Sequence, residues 1–123
     1  MNVHNPADEL HALNRLEPQH LAQLLELYRH EWWTEKRTLL DVDRMLKGSD
    51  LVFAYVTKTD ELVGFARVLT DGVYKDFLFD VIVRPDYRGR GLGGRLISDV
   101  IHHPVLSRVA TIELYCRPEQ ERL

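Results

Sequence analysis

The stretch Val81-Ile82-Val83-Arg84-Pro85-Asp86-Tyr87-Arg88-Gly89-Arg90-Gly91-Leu92-Gly93-Gly94-Arg95-Leu96 limits what this chain can fold into more than any other. Its apolar start reads as the end of a buried strand, and Leu92, Leu96, Ile97, Val100 and Ile101 then mark one face of a helix. Four glycines lie between the strand and the body of that helix. Glycine allows positive φ and a close approach of backbone to a ligand. The first amides of a helix lack intrahelical partners and sit at the positive end of its dipole, so they receive phosphate oxygens well. Flanking arginines can add charge-assisted contacts. Physical chemistry alone predicts a phosphate or pyrophosphate site here.

Two phosphate-binding patterns fail on spacing. A P-loop needs G-x-x-x-x-G-K-[ST], and no lysine followed by Ser or Thr opens this helix. The dinucleotide pattern G-x-G-x-x-G is matched by Gly89, Gly91 and Gly94, with Glu113 nineteen residues further on. That pattern expects its first glycine directly after the strand, whereas Arg84 to Arg88 intervene. The chain also offers one β-α-β unit, too few for a doubly wound nucleotide domain.

The remaining sequence supplies the frame. With 123 residues, 45% of them hydrophobic, residues 1–123 are expected to form one domain. Between Arg84 and Arg95, four arginines face one acid in a chain of net charge −3, so a local cationic segment stands on an acidic remainder. This favours a confined anion site over a nucleic-acid surface; the alternative is a solvated arginine-rich loop. No apolar run is long enough to span a membrane, and Met1 to Pro6 lack the pattern of a secretory leader. One cysteine, Cys116, fits a reducing compartment, and a cytoplasmic location is expected.

Pro18 starts a helix whose Leu21, Leu24, Leu25 and Tyr28 share a face, and a second runs from about Leu39 to Leu46. A weak edge strand is expected within Glu9 to Leu16. Strands follow at Leu51 to Thr57, Leu62 to Leu69 and Tyr74 to Val83, with Lys58-Thr59-Asp60 and Asp71-Gly72 as turns. After the glycine helix, Pro104 breaks the chain, and Val109 to Tyr115 reads as a last strand. The fold class is therefore α/β with a mixed sheet: an antiparallel meander, then β-loop-α-β.

On these residues the chain resembles the GNAT superfamily of N-acyltransferases. Arg88, Gly91 and Gly93 fill its signature [RQ]-x-x-G-x-[GA], and Val83 to Gly93 read V-x-P-x-Y-R-G-x-G-L-G. The resemblance spans about residues 9 to 116. It implies that acetyl-coenzyme A is the cosubstrate, without a metal, and that the backbone of Arg88, Gly89, Arg90, Gly91, Leu92, Gly93 and Gly94 binds its pyrophosphate. Arg88, Arg90 and Arg95 would add phosphate contacts. Val81, Ile82 and Val83 would run beside the pantetheine arm, and the Val83 N–H would stabilise the oxyanion. The implied reaction is direct transfer of an acetyl group to a primary amine, on a small molecule or a protein.

Family members usually continue with a further helix and two strands, whereas this chain stops at Leu123. That helix is where many members carry the tyrosine that protonates the leaving thiolate, and no residue here matches it. The strand at Val109 to Tyr115 is then expected to be an exposed edge, suited to pairing with a second copy. The alternative function is a non-catalytic acyl-coenzyme A-binding module. Asp80 is a candidate base; its other reading is a strand carboxylate paired with an arginine such as Arg67. Tyr87 is expected to pack. Tyr115 and Cys116 could approach the thioester sulfur, with a buried inert thiol as the competing role for Cys116. Trp32 and Trp33, beside Glu31, Glu35 and Arg37, either wall an acceptor pocket or pack the helix junction. His102-His103 end a helix and face apart, which argues against a shared metal.

Overall fold

The structure is a computed structural model and describes residues 9–31 and 36–115, with the backbone alone at Tyr115. Among the described residues, five strands form one mixed sheet in the order β1-β2-β3-β4-β5: β1 His11–Leu13, β2 Leu51–Val56, β3 Leu62–Thr70, β4 Lys75–Val83 and β5 Thr111–Tyr115. The first four pair antiparallel in sequence order, and β5 joins β4 in parallel. Helices α1, Pro18–Arg29, and α2, Leu39–Gly48, cover one face, and α3, Leu92–Ile101, covers the other.

Local chemistry explains the element ends. Pro18 occupies the first turn of α1, and the Glu17 N–H donates to His20 Nδ1 at 2.9 Å. His20 Nε2 must then carry the ring proton, which it donates to Asp60 at 2.8 Å, tying buried α1 to the β2–β3 turn. Thr38 caps α2 by accepting from the Asp41 N–H. Asp71 Oδ1 accepts from the amides of Val73, Tyr74 and Lys75, which closes the β3–β4 hairpin. Those amides hold the Asp71 carboxyl below its ordinary range.

The sheet divides the core. Val63, Ala66, Val68, Leu78, Val81 and Val83 meet Leu92, Leu96 and Val100 of α3. On the other face Phe65, Ile82, Val56 and Leu62 meet Leu24, Leu25, Tyr28 and Val42. Each fully buried leucine of this kind contributes about 1.5–3 kcal/mol by leaving water.

Two features depart from the sequence expectation. The last strand starts at Thr111 rather than Val109, because Leu106–Arg108 coil into a 3-10 turn that buries Leu106. In β4 the register passes from Phe79 opposite Arg67 to Ile82 opposite Phe65, so Asp80 and Val81 together oppose Ala66. This is a β-bulge, and Asp80 takes φ 57° to make it. After the bulge, Val81 and Val83 join Leu78 on the α3 face. Phe79 and Asp80, neighbours in sequence, both meet Arg67 on the α1–α2 face.

Candidate functional site

The site is assembled where β4 ends. The Arg84 N–H donates to the Val63 carbonyl of β3 at 2.8 Å. Backbone groups alternate in direction along a strand, so the N–H and C=O of Val83 point away from β3. Arg88 Nε reaches that carbonyl at 3.0 Å, and its Nη2 pairs with Glu31 at 2.6 Å. Arg88 thus fastens the end of β4 to the end of α1. Pro85–Tyr87 form a 3-10 turn whose closing donor is the Arg88 N–H, at 3.3 Å from the Pro85 carbonyl.

The loop before α3 therefore offers its amides unevenly. The Arg88 amide is spent within the turn, and two of its guanidinium nitrogens are engaged away from the loop. The run of open amides therefore begins one residue later. Among the described residues, none of the N–H groups of residues 89–94 has a hydrogen-bond partner; the next, that of Arg95, donates to the Gly91 carbonyl.

Glycine is required in this loop by conformation. Gly89 and Gly91 have φ of 78° and 79°, which L side chains rarely adopt. Gly91 caps α3 with no side chain, and the first turn of α3 carries no acid. The helix therefore presents its positive end uncompensated. A Cβ at Gly94 would meet no protein atom within 4 Å, so only a ligand over the loop would feel it. Beneath the loop, a Cβ at Gly64 would meet Leu92 at 3.1 Å, which shows how closely the start of α3 lies on β3.

The arginines divide by role. Arg84 is taken by Asp86 at 2.7 Å and Glu61 at 3.1 Å. Arg90 stacks over Tyr87 at 4.8 Å and Arg95 over Tyr55 at 4.6 Å, and neither forms an ion pair among the described residues. Tyr87 is buried, as the packing reading expected.

Across the sheet a second cluster converges on Asp80, whose side chain is 5% exposed. Its Oδ2 accepts from Arg67 Nε at 2.7 Å, Tyr28 Oη at 3.0 Å and Arg37 Nη1 at 3.2 Å. Burial, and then the Asp80 charge, raise the Tyr28 phenol well above its ordinary pKa, so it stays a donor. This is the arginine-paired arrangement, with more partners than Arg67 alone. Two guanidiniums and a phenol hold Oδ2 in place, the paired role that the sequence offered beside that of a base. Beside the cluster lies a pocket of about 300 Å³ lined by Arg37, Asp41, Val42, Met45 and Arg67.

Trp32, Trp33 and Cys116 lie outside the described residues, as does the side chain of Tyr115. Tyr28 and Arg37 were not singled out as Asp80 partners from sequence. Tyr28 sits in the apolar stripe of α1, and nothing local marks its hydroxyl as bound to a residue fifty-two positions away.

A mixed sheet whose β4 strand runs into a loop of open amides and an uncapped helix start has the form of an anion-receiving α/β domain. The acetyltransferase (GNAT) family model matches residues 10–123, and the chain belongs to that family of N-acetyltransferases. It is 33% identical over 102 residues to the uncharacterized N-acetyltransferase ycf52 of Pyropia yezoensis, covering 80% of this chain and 58% of that protein. It is 30% identical over 84 residues to the chloroplastic GCN5-related N-acetyltransferase 1 of Arabidopsis thaliana, covering 68% and 43%. The chain thus spans about half the length of these relatives.

Among solved structures, a GNAT-family acetyltransferase from Xanthomonas campestris superposes with a TM-score of 0.71 at 29% identity, covering 88% of this chain and 77% of that one. An aminoglycoside 6'-N-acetyltransferase complexed with coenzyme A gives 0.69 at 28%, covering 85% and 59%. No helix among the described residues is long and apolar enough to cross a membrane.

Proposed function

We propose that the protein transfers an acetyl group from acetyl-coenzyme A to a primary amine by direct attack in a ternary complex. The observation that carries this reading is the run of unpartnered amides at residues 89–94 over an uncapped helix start. Six such donors with two flanking arginines suit a pyrophosphate, and glycine at four of the six positions leaves it room. The coenzyme A bound to the aminoglycoside relative supports the same ligand class here.

In this reading residues 89–94 hold the phosphates while Arg90 and Arg95 screen their charge. The end of β4 at Val83 runs beside the pantetheine arm. The Val83 N–H, turned away from β3, donates to the thioester oxygen as the amine nitrogen attacks the carbonyl carbon. A rigid donor aimed at that oxygen favours the tetrahedral transition state, and one such donor contributes on the order of 10²–10³ in rate. The C–S bond then breaks, the thiolate leaves, and the amine proton passes to solvent. Arg88 positions this strand end through the Val83 carbonyl without touching the reacting atoms. Residues 1–123 act as a single domain, and β5, the outer strand of the described sheet with Leu114 47% exposed, offers an edge to a second copy.

Calorimetric titration with acetyl-coenzyme A, with dephospho-coenzyme A and NAD as controls, followed by thiol release with added amines, tests the reading. Saturable binding of acetyl-coenzyme A, none of NAD, and amine-dependent thiol release are expected. Binding without turnover would leave an acyl-coenzyme A-binding module, and no binding would overturn the site.

A further inference from the structure

The chain that joins α1 to α2 is tied to β4 near each of its ends. Glu31, two residues past α1, pairs with Arg88 Nη2 at 2.6 Å, and Arg88 Nε reaches the Val83 carbonyl at 3.0 Å. Arg37, directly before the Thr38 cap of α2, reaches Asp80 at 3.2 Å. Both ties fall within the last four residues of β4, about 10 Å of strand. Within the first of them Glu31 is the firmer end. Its side chain is 15% exposed against 44% for Arg88, and its N–H donates to the Tyr28 carbonyl at 3.0 Å. The acid is the anchor and the arginine the arm. That arm ends on a peptide bonded at both of its polar groups: the Arg84 N–H donates to Val63, and the Val83 carbonyl accepts from Arg88. Because a peptide unit is planar, two such bonds set its orientation at the end of β4.

Arg88 is also subject to a competing attraction. It directly precedes the open amides of residues 89–94, and phosphates held there would draw a guanidinium that was free to turn toward them. Glu31 opposes that pull with a charge of its own. We propose that Glu31 is a positioning residue for acetyl transfer: it keeps Arg88 on the Val83 carbonyl while the phosphates are bound, and so keeps the Val83 N–H aimed at the thioester oxygen. The inference rests on the acetyl-transfer reading for the role of Val83, and on the Glu31–Arg88–Val83 chain of bonds for the role of Glu31. Glu31 touches no reacting atom and adds nothing to coenzyme A affinity. Its effect is on where the carbonyl of a bound thioester finds its donor.

Glu31→Gln keeps the shape of the side chain and removes its charge. By calorimetry it should bind acetyl-coenzyme A as tightly as the wild-type protein or more tightly, because Arg88 becomes available to the phosphates. The Val83 amide proton, followed by NMR, reads the geometry. In the wild-type protein it should move further downfield with acetyl-coenzyme A than with coenzyme A, which has no thioester oxygen. In Glu31→Gln that difference should shrink by about half or more, since a hydrogen bond weakens as it bends. Arg88→Gln should shrink it too, and adding Glu31→Gln to that variant should change nothing further, because the acid acts through the arginine. A full acetyl-dependent shift in Glu31→Gln, additive losses in the double variant, or weaker binding by Glu31→Gln each overturn the inference and leave the acetyl-transfer reading standing. Absence of an acetyl-dependent shift in the wild-type protein overturns the reading of Val83 and the inference with it.

Discussion

The two faces of β4 are built from different materials. Toward α3 and the loop before it, the site consists of backbone: amides at residues 89–94, the Val83 N–H, and glycines that give them room. Toward α1 and α2, three side chains from separate parts of the chain meet at one oxygen of Asp80. The first arrangement is contained in sixteen consecutive residues and needs little from the rest of the fold beyond a sheet to stand on. The second exists only when α1, the segment before α2, β3 and β4 are all in place. A backbone site tolerates changes at a distance and fails when a side chain is added. A side-chain cluster fails when one is removed.

The largest expected effect falls on the cluster. Asp80→Ala leaves two arginines and a tyrosine facing one another without their acceptor, and losing one partner of a buried ion pair costs about 3–5 kcal/mol. Chemical denaturation should show that loss, while protein still folded keeps its affinity for acetyl-coenzyme A. Coupled loss of affinity would mean that the two faces are not independent.

Gly91→Val attacks the other face. It forces a β-branched residue into φ 79° and puts methyl groups over the amides, so affinity for acetyl-coenzyme A should fall at least a hundredfold by calorimetry. Unchanged affinity would mean that the phosphates lie elsewhere. Gly94→Ala sharpens the same point with a smaller change. Its Cβ meets no protein atom, and alanine suits a helix better than glycine by up to about 1 kcal/mol. The thermal midpoint should hold or rise while affinity drops about tenfold.

The smallest effects are those of pH. Burial, and then its hydrogen bond to Asp99, push Tyr55 up to about 12 from its ordinary 10.0. Below pH 10 the folded and unfolded chains both keep that proton. Between pH 10 and about 12 only the unfolded chain loses it, so stability falls as pH rises, and Tyr55→Phe should flatten that limb of a denaturation series. In acid the sign reverses. His20 beside Asp60, the Val73 amide beside Asp71 and Arg84 beside Asp86 hold these carboxyls below their ordinary 3.8. Their contribution is present above pH 3.8 and is lost as pH falls further.

Much of this was readable from residue order. Pro18, the Asp71-Gly72 turn and the 3.6-residue spacing of Leu92, Leu96 and Val100 each act within one or two turns of chain, so their elements appear where expected. The glycine loop was legible for the same reason, because positive φ and open amides are local properties. Residue order also named Arg67 as a partner for Asp80, since the two lie in neighbouring strands. It did not show the bulge. Alternation along a regular strand puts Phe79 and Asp80 on opposite faces, and only pairing with β3 reveals the extra residue that brings both to Arg67.

Sequence by itself therefore determined the order of elements, the mixed sheet and the glycine turn before α3, because backbone preferences and hydrophobic periodicity are settled among near neighbours. The tertiary structure decided the use of the charged side chains. It gave Arg88 to Glu31 and the Val83 carbonyl, Arg84 to Asp86 and Glu61, and Asp80 to two arginines and a tyrosine. Which partner a long charged side chain meets depends on which distant segments arrive within about 3 Å of it, and chain order does not encode that distance directly.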